Sequence, residues 1–317
     1  LAPMLGLSVV LALMARERIE RVTRLMLFAW LLTLLPPLLD LLLTSGGGNP
    51  DLIGYLIPDH TGLWTAFANL LNPFYHGFQG ATAGIRLEAA AGCILAAVYV
   101  HLKTKSAGRA LLTIVAVYPT MFFFFTLPPI TVAVTRLFGA EIDNVYQMFF
   151  ARANVYRAFV NVTPFALSDL SNSLIDLIVL VPILKIWYWL YDRDGFWRFV
   201  RHIDVPTVGL HLVATIAGIV LGARLLLGST GAISIAHPFD LISLIGLVLA
   251  SFFTAQTATF MRLWFARDGA SVPAKDGELI IRLGLVMMGL AVLFAISVSY
   301  VALTYVLAAL AVYTLYY

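Results

Sequence analysis

Thr254, Gln256, Thr257, Thr259 and Arg262 stand in the last third of an otherwise apolar run, 238–265. A basic, proline-containing loop with Arg267, Asp268 and Lys275 follows it. Gln256 and Thr259, and likewise Thr259 and Arg262, are three residues apart and so share a helix face. An amide, a hydroxyl and a guanidinium on one face at the end of a membrane helix could hold a polar head group. Arg262, Arg267 and Lys275 together could attract phosphates or anionic lipid heads. The plainer reading is hydrogen bonding between helices, with an Arg reaching to the interface.

Asp59, His60, His76, Arg86 and Glu88 form a second candidate set, on the other side of the membrane. Ionisable groups at a membrane face can make a proton or substrate site, and the competing reading is a solvated rim. Arg86 and Glu88 are two apart and do not share a helix face. Asp176, near Asp169, Asn172 and Ser173, is the acid set deepest in an apolar run, either a functional group or a hydrogen-bond partner within a bundle. The six histidines show no metal-ligand spacing. The chain has no Gly-rich nucleotide loop, no Ser-His-Asp order and no haem-attachment motif, and nothing in it suggests nucleic-acid binding.

The elements that position these residues follow from composition. Of 317 residues, 61% are hydrophobic and 12% charged, with net charge +3 and mean hydropathy +0.92. A soluble domain carries about 25% charged residues. The shortage of charge and several long apolar runs define an all-α, polytopic transmembrane bundle. Strand alternation is absent, which argues against a membrane barrel. The single Cys93 excludes an internal disulfide and a thiolate metal cluster. The sequence starts at Leu1 inside one apolar run and stops at Tyr317 inside another, so a longer polypeptide is expected.

About nine spans are expected: residues 1–14, 25–43, 83–102, 110–137, 169–191, 206–227, 239–265, 279–298 and 299–317. Neither Gly nor Pro marks the turn between the last two. Arg-rich ARERIERVTR (15–24), the Lys103–Arg109 loop and DRDGFWRFVRH (192–202) are basic and read as cytoplasmic, with the N-terminus outside. Residues 44–82 and 139–165 then lie outside as interfacial segments, with a helix around Leu63–Leu71. Pro36-Pro37 and Pro128-Pro129 predict kinks that could frame a cavity. The connections divide the chain into a five-span module, 1–191, a basic linker, 192–205, and a four-span module, 206–317.

Four stretches of the second module resemble the intramembrane aromatic prenyltransferase (UbiA-type) superfamily. FWRFVRHIDVPTVGLHLVATIAGIVLG (196–222) is similar to its basic lead-in and first helix, and 238–265 takes the place of its second helix. RDGASVPAKDGELIIR (267–282) resembles its cytoplasmic loop, and AALAVYTLYY (308–317) the end of its fourth helix. The resemblance implies Mg²⁺ held by helical carboxylates, with the metal binding the diphosphate of a polyprenyl donor. Aligned on that motif, only Asp268 can be carried over as a metal ligand. The Asn and the first two Asp of the family fall on Phe260, Met261 and Trp264.

One carboxylate cannot hold a diphosphate–magnesium pair. The expectation is therefore a degenerate prenyltransferase-like module in a non-catalytic or lipid-binding subunit of a membrane assembly. Its partners would be membrane lipids, other membrane-protein subunits or a polyprenyl lipid, in a bacterial or archaeal inner membrane. The alternatives are a Mg²⁺-dependent prenyltransferase acting on a lipid-soluble acceptor and, behind it, a small-molecule transporter.

Overall fold

The computed structural model describes residues 1–35, 39–40, 42, 62–72, 82–137, 164–227, 238–265 and 274–316. Among them all regular structure is helical. Five helices are long and apolar enough to cross a membrane: α4 (Ala83–Thr104), α5 (Ala107–Phe125), α7 (Pro164–Tyr191), α10 (Pro238–Phe265) and α11 (Ala274–Val298). A sixth span results if α8 (Arg193–Arg201) and α9 (Val205–Leu227), bent by 67° at their junction, are one crossing. The apolar helices α1 (Ala2–Ala15), α6 (Leu127–Leu137) and α12 (Tyr300–Tyr316) are shorter. The polar-faced α2 (Ile19–Ala29) and the seven-residue α3 (Leu63–Asn69) complete the set.

The described helices thus give five or six spans by length and composition, where the sequence leads one to expect about nine. Local chemistry explains several differences. Ahead of Pro36-Pro37 the second expected span is already a 3₁₀ turn, Trp30–Leu34, and the diproline itself lies outside the described residues. The fourth expected span breaks at Thr126, which leaves helical geometry at φ −113°. Pro128 and Pro129 do not kink a helix but begin one, α6, where the missing N–H groups have no intrahelical role. The prolines that do sit inside helices are single ones, Pro119 in α5 and Pro182 in α7. Four helix starts carry a Ser, Thr or Asp cap, whereas α1, α2 and α3 start without a side-chain cap. Thr82 and Ser106 accept from Ile85 and Arg109 N–H, both at 3.3 Å. The turn that no Gly or Pro marks is Ser299, whose hydroxyl accepts from the N–H of Ala302 at 3.0 Å.

Two compact units emerge, residues 1–148 with 179–193, and 149–178 with 194–317, so α7 is shared at residue 178/179. In the first unit α1 packs on α2, α4 and α5. Its core brings together Ala12, Ala15, Cys93, Ala96 and Val100, small side chains that let membrane helices approach closely. Trp187 joins this core, its indole N–H donating to Thr23 Oγ1 at 2.9 Å. α3 lies against α5 through Phe67, which meets the rings of Tyr118 and Phe122. Tyr118 donates its hydroxyl to the Phe67 carbonyl.

In the second unit α10 packs most extensively on α11 and also touches α9 and α12. Gly246 allows the closest approach: a Cβ there would lie 2.6 Å from Leu174 and 2.8 Å from Val298. Phe253 stacks on Phe294 of α11, and Phe260 on Phe199 of α8.

Candidate functional site

Residues 253–260 of α10 are buried without interruption. Two full turns of helix are therefore enclosed on every side, and their polar groups must find partners inside the bundle. The threonines do so locally. Thr254, Thr257 and Thr259 donate to the carbonyls of Ala250, Phe253 and Ala255, four residues back. Gln256 is wholly buried, and neither its Oε1 nor its Nε2 has a hydrogen-bond partner among the described residues.

Arg262, one turn on, is turned outward and pairs with Asp204 at 2.9 Å. Asp204 sits at the bend between α8 and α9, where it accepts from the Thr207 hydroxyl at 2.8 Å and from its N–H at 3.3 Å. Thr207 first, and Arg262 after it, hold the Asp204 carboxyl below the usual range. The Asp-x-x-Thr cap and the ion pair together fasten the α8–α9 bend to the end of α10. Thr259 and Arg262 thus share a helix face but bond to different partners, and Gln256 has none among the described residues. Arg267 and Asp268 lie outside the described residues, as does the Lys275 side chain.

A polar cluster that leaves no pattern in the sequence lies further along the same helices, towards the middle of this unit. Tyr313 Oη of α12 stands 2.6 Å from Nε2 of His211 on α9. One turn along, Thr215 Oγ1 is 2.7 Å from Ser251 Oγ of α10, and Ser251 donates to the His211 carbonyl at 3.3 Å. These hydroxyl and imidazole contacts join α9, α10 and α12. Asp176, on the part of α7 in this unit, is half-buried, one turn beyond Asn172.

Of the outer candidates, Arg86 and Glu88 are described, while Asp59, His60 and His76 are not. Arg86 is 4% exposed, and its guanidinium donates to the Asn72 carbonyl at 3.0 Å. Two residues earlier, Gly84 N–H donates to Asp40 at 2.8 Å. The start of α4 is thereby tied to the end of the α3 segment. Glu88 is half-buried on the next face. Among the described residues no three His, Cys, Asp or Glu side chains come together as a metal-binding group.

Fold and polar contacts together define a helical membrane protein whose described hydroxyls bond mostly within their own helices, with a smaller set of polar contacts joining one helix to another. Comparison of the chain with known protein families, with curated proteins and with solved structures gives no match.

Proposed function

We propose that the protein is a non-catalytic, lipid-binding subunit of a membrane assembly, a bundle of about nine membrane segments whose second half is a degenerate prenyltransferase-like module. The fate of the polar end of α10 supports this reading. The side chains best placed to receive a diphosphate are engaged in the fold, the threonines on their own helix and Arg262 on Asp204. In each unit two basic connections lie at one end: Lys103 reaches Glu17, and Arg262 reaches Asp204. By the positive-inside rule those ends are cytoplasmic and the N-terminus is outside.

The test is purification in mild detergent. Recovery at fixed stoichiometry with other membrane subunits, and no Mg²⁺-dependent release of diphosphate from a polyprenyl diphosphate, is the expected result. Diphosphate release that Asp268→Ala abolishes would instead establish a prenyltransferase. That second reading is favoured by one observation, the amide of Gln256, which has no partner among the described residues, on the helix that stands in the place of the family's metal-binding helix.

A further inference from the structure

We propose that the first unit holds one anionic membrane lipid, its hydrocarbon chain in the groove between α1, α5 and the end of α7, and its head group on the cations at the basic end of the same unit. The proposal rests on the lipid-binding reading above and names its ligand. The groove has a volume of about 370 Å³, with Gly6, Val9, Pro119, Phe123, Pro182 and Ile183 in its wall. That is within the range of pockets that hold small molecules, roughly 300–1,000 Å³. Thr120 brings the one side-chain polar atom to the wall, and its hydroxyl donates to the Ala116 carbonyl at 2.8 Å. Nothing in the lining therefore calls for water or a polar ligand.

Depth narrows the occupant. Pro119 stands twelve residues after Ala107 and Pro182 nine before Tyr191, about 18 and 14 Å from those helix ends at 1.5 Å per residue. In a hydrocarbon core about 30 Å thick, the hollow lies where lipid chains are the surrounding medium.

Charge selects the head group. The α1–α2 and α4–α5 loops meet at one end, through Lys103 to Glu17 at 2.9 Å and Arg109 to the Met14 carbonyl at 3.5 Å. Arg21 and Arg24 pair with Glu17 and Glu20. Arg16, Arg18 and Lys105 have no acidic partner among the described residues. Arg16 and Lys105 also hold left-handed backbone, at φ 52° and 53°. Glycine takes that conformation without strain, so backbone geometry does not account for a long cation at either position. Their charge faces the leaflet in which anionic lipids are concentrated.

The experiment counts lipid bound to the purified full chain by native mass spectrometry, after titration with dioleoyl phosphatidylglycerol or the phosphatidylcholine with the same chains. One phosphatidylglycerol per chain is expected, held at least about tenfold more tightly than phosphatidylcholine. The double variant Arg16→Gly/Lys105→Gly, which suits the left-handed positions, loses that preference while its melting temperature stays level or rises. Val9→Trp fills the groove and removes both lipids. Should it fail to fold, a lipid with a mid-chain diazirine reads the groove in the unaltered protein, with labelling concentrated on peptides containing Pro119 and Pro182. Equal binding of the two lipids, or an unchanged preference in the glycine variant, overturns the proposal. So does lipid retained by a folded Val9→Trp, or labelling spread evenly over exposed helix faces such as that of Val213. None of these readouts depends on co-purifying subunits or on diphosphate release, so failure here leaves the non-catalytic reading to its own test.

Discussion

The two units place cations at one end of a helical bundle and match them with acids to different extents. In the second, Arg262 closes on Asp204, the acid that also caps α9, so the pair ties the α8–α9 bend to the end of α10, and Arg201 there has no acidic partner among the described residues. In the first, Glu17 and Glu20 engage Arg21, Arg24 and Lys103, while Arg16, Arg18 and Lys105 stay without an acid among the described residues. Their interiors differ in the same sense. The second unit is closed around a polar stretch of α10, and the first is open around two prolines with an apolar wall. A helical bundle can thus use a surface charge to fix its own geometry or leave it without an internal partner. Sequence position does not distinguish the two uses; partners do.

Closing up or loosening the second unit breaks the comparison most directly. Gly246→Ala pushes a methyl into Leu174, which is fully buried and has little room to yield, and should cost about 1–3 kcal/mol. Thermal unfolding followed by tryptophan fluorescence in detergent measures it, and an unchanged transition would mean that this interface is looser than described. Gln256→Leu should act in the opposite direction, by about 1–2 kcal/mol, because it removes a buried amide that has no partner among the described residues. A loss of stability would mean instead that the amide is satisfied, by water, ligand or another part of the chain.

Smaller effects are expected at the polar joints. Tyr313→Phe takes one hydrogen bond from His211 and should cost about 1 kcal/mol, with Thr215→Val adding to it because both link α9 to its neighbours. Strict additivity in the double variant would show that the two contacts work independently.

The Asp204–Arg262 joint is partly exposed and should be worth no more than about 1 kcal/mol. It carries a pH signature. Because the folded carboxyl lies below its usual value of 3.8, its contribution is complete above that value and is lost as pH falls through the folded pKa. Stability of the native chain should therefore drop more steeply below about pH 4 than that of Asp204→Asn. Parallel curves would remove Asp204 from the account.

Charge and hydropathy made the helical membrane class and most of the long helices legible, since α4, α5, α7, α10 and α11 follow apolar runs long enough to cross a membrane. Several joints were less legible, for identifiable reasons. Ser299 ends one helix and begins the next through its hydroxyl alone, a signal weaker than Gly or Pro and easily lost among Ser residues that hydrogen-bond within helices. The diprolines drew the eye as kinks, yet Pro128 and Pro129 open a helix, and the isolated Pro119 and Pro182 border the hollow. The face shared by Gln256, Thr259 and Arg262 could be counted along the helix. That Arg262 bonds across to position 204 could not, because a contact 58 residues away leaves no periodic trace. His211 and Tyr313, 102 residues apart, were missed for the same reason.

Ser299 has a consequence for how the chain is made. A single residue joins α11 to α12, and the contact of Tyr313 with His211 brings α12 back towards the end from which α9 starts. Such a pair has no loop between its helices to translocate. It should pass into the bilayer as one hairpin in a single insertion event, and a reporter spliced in at 299 would prise apart the joint whose sidedness it was meant to reveal.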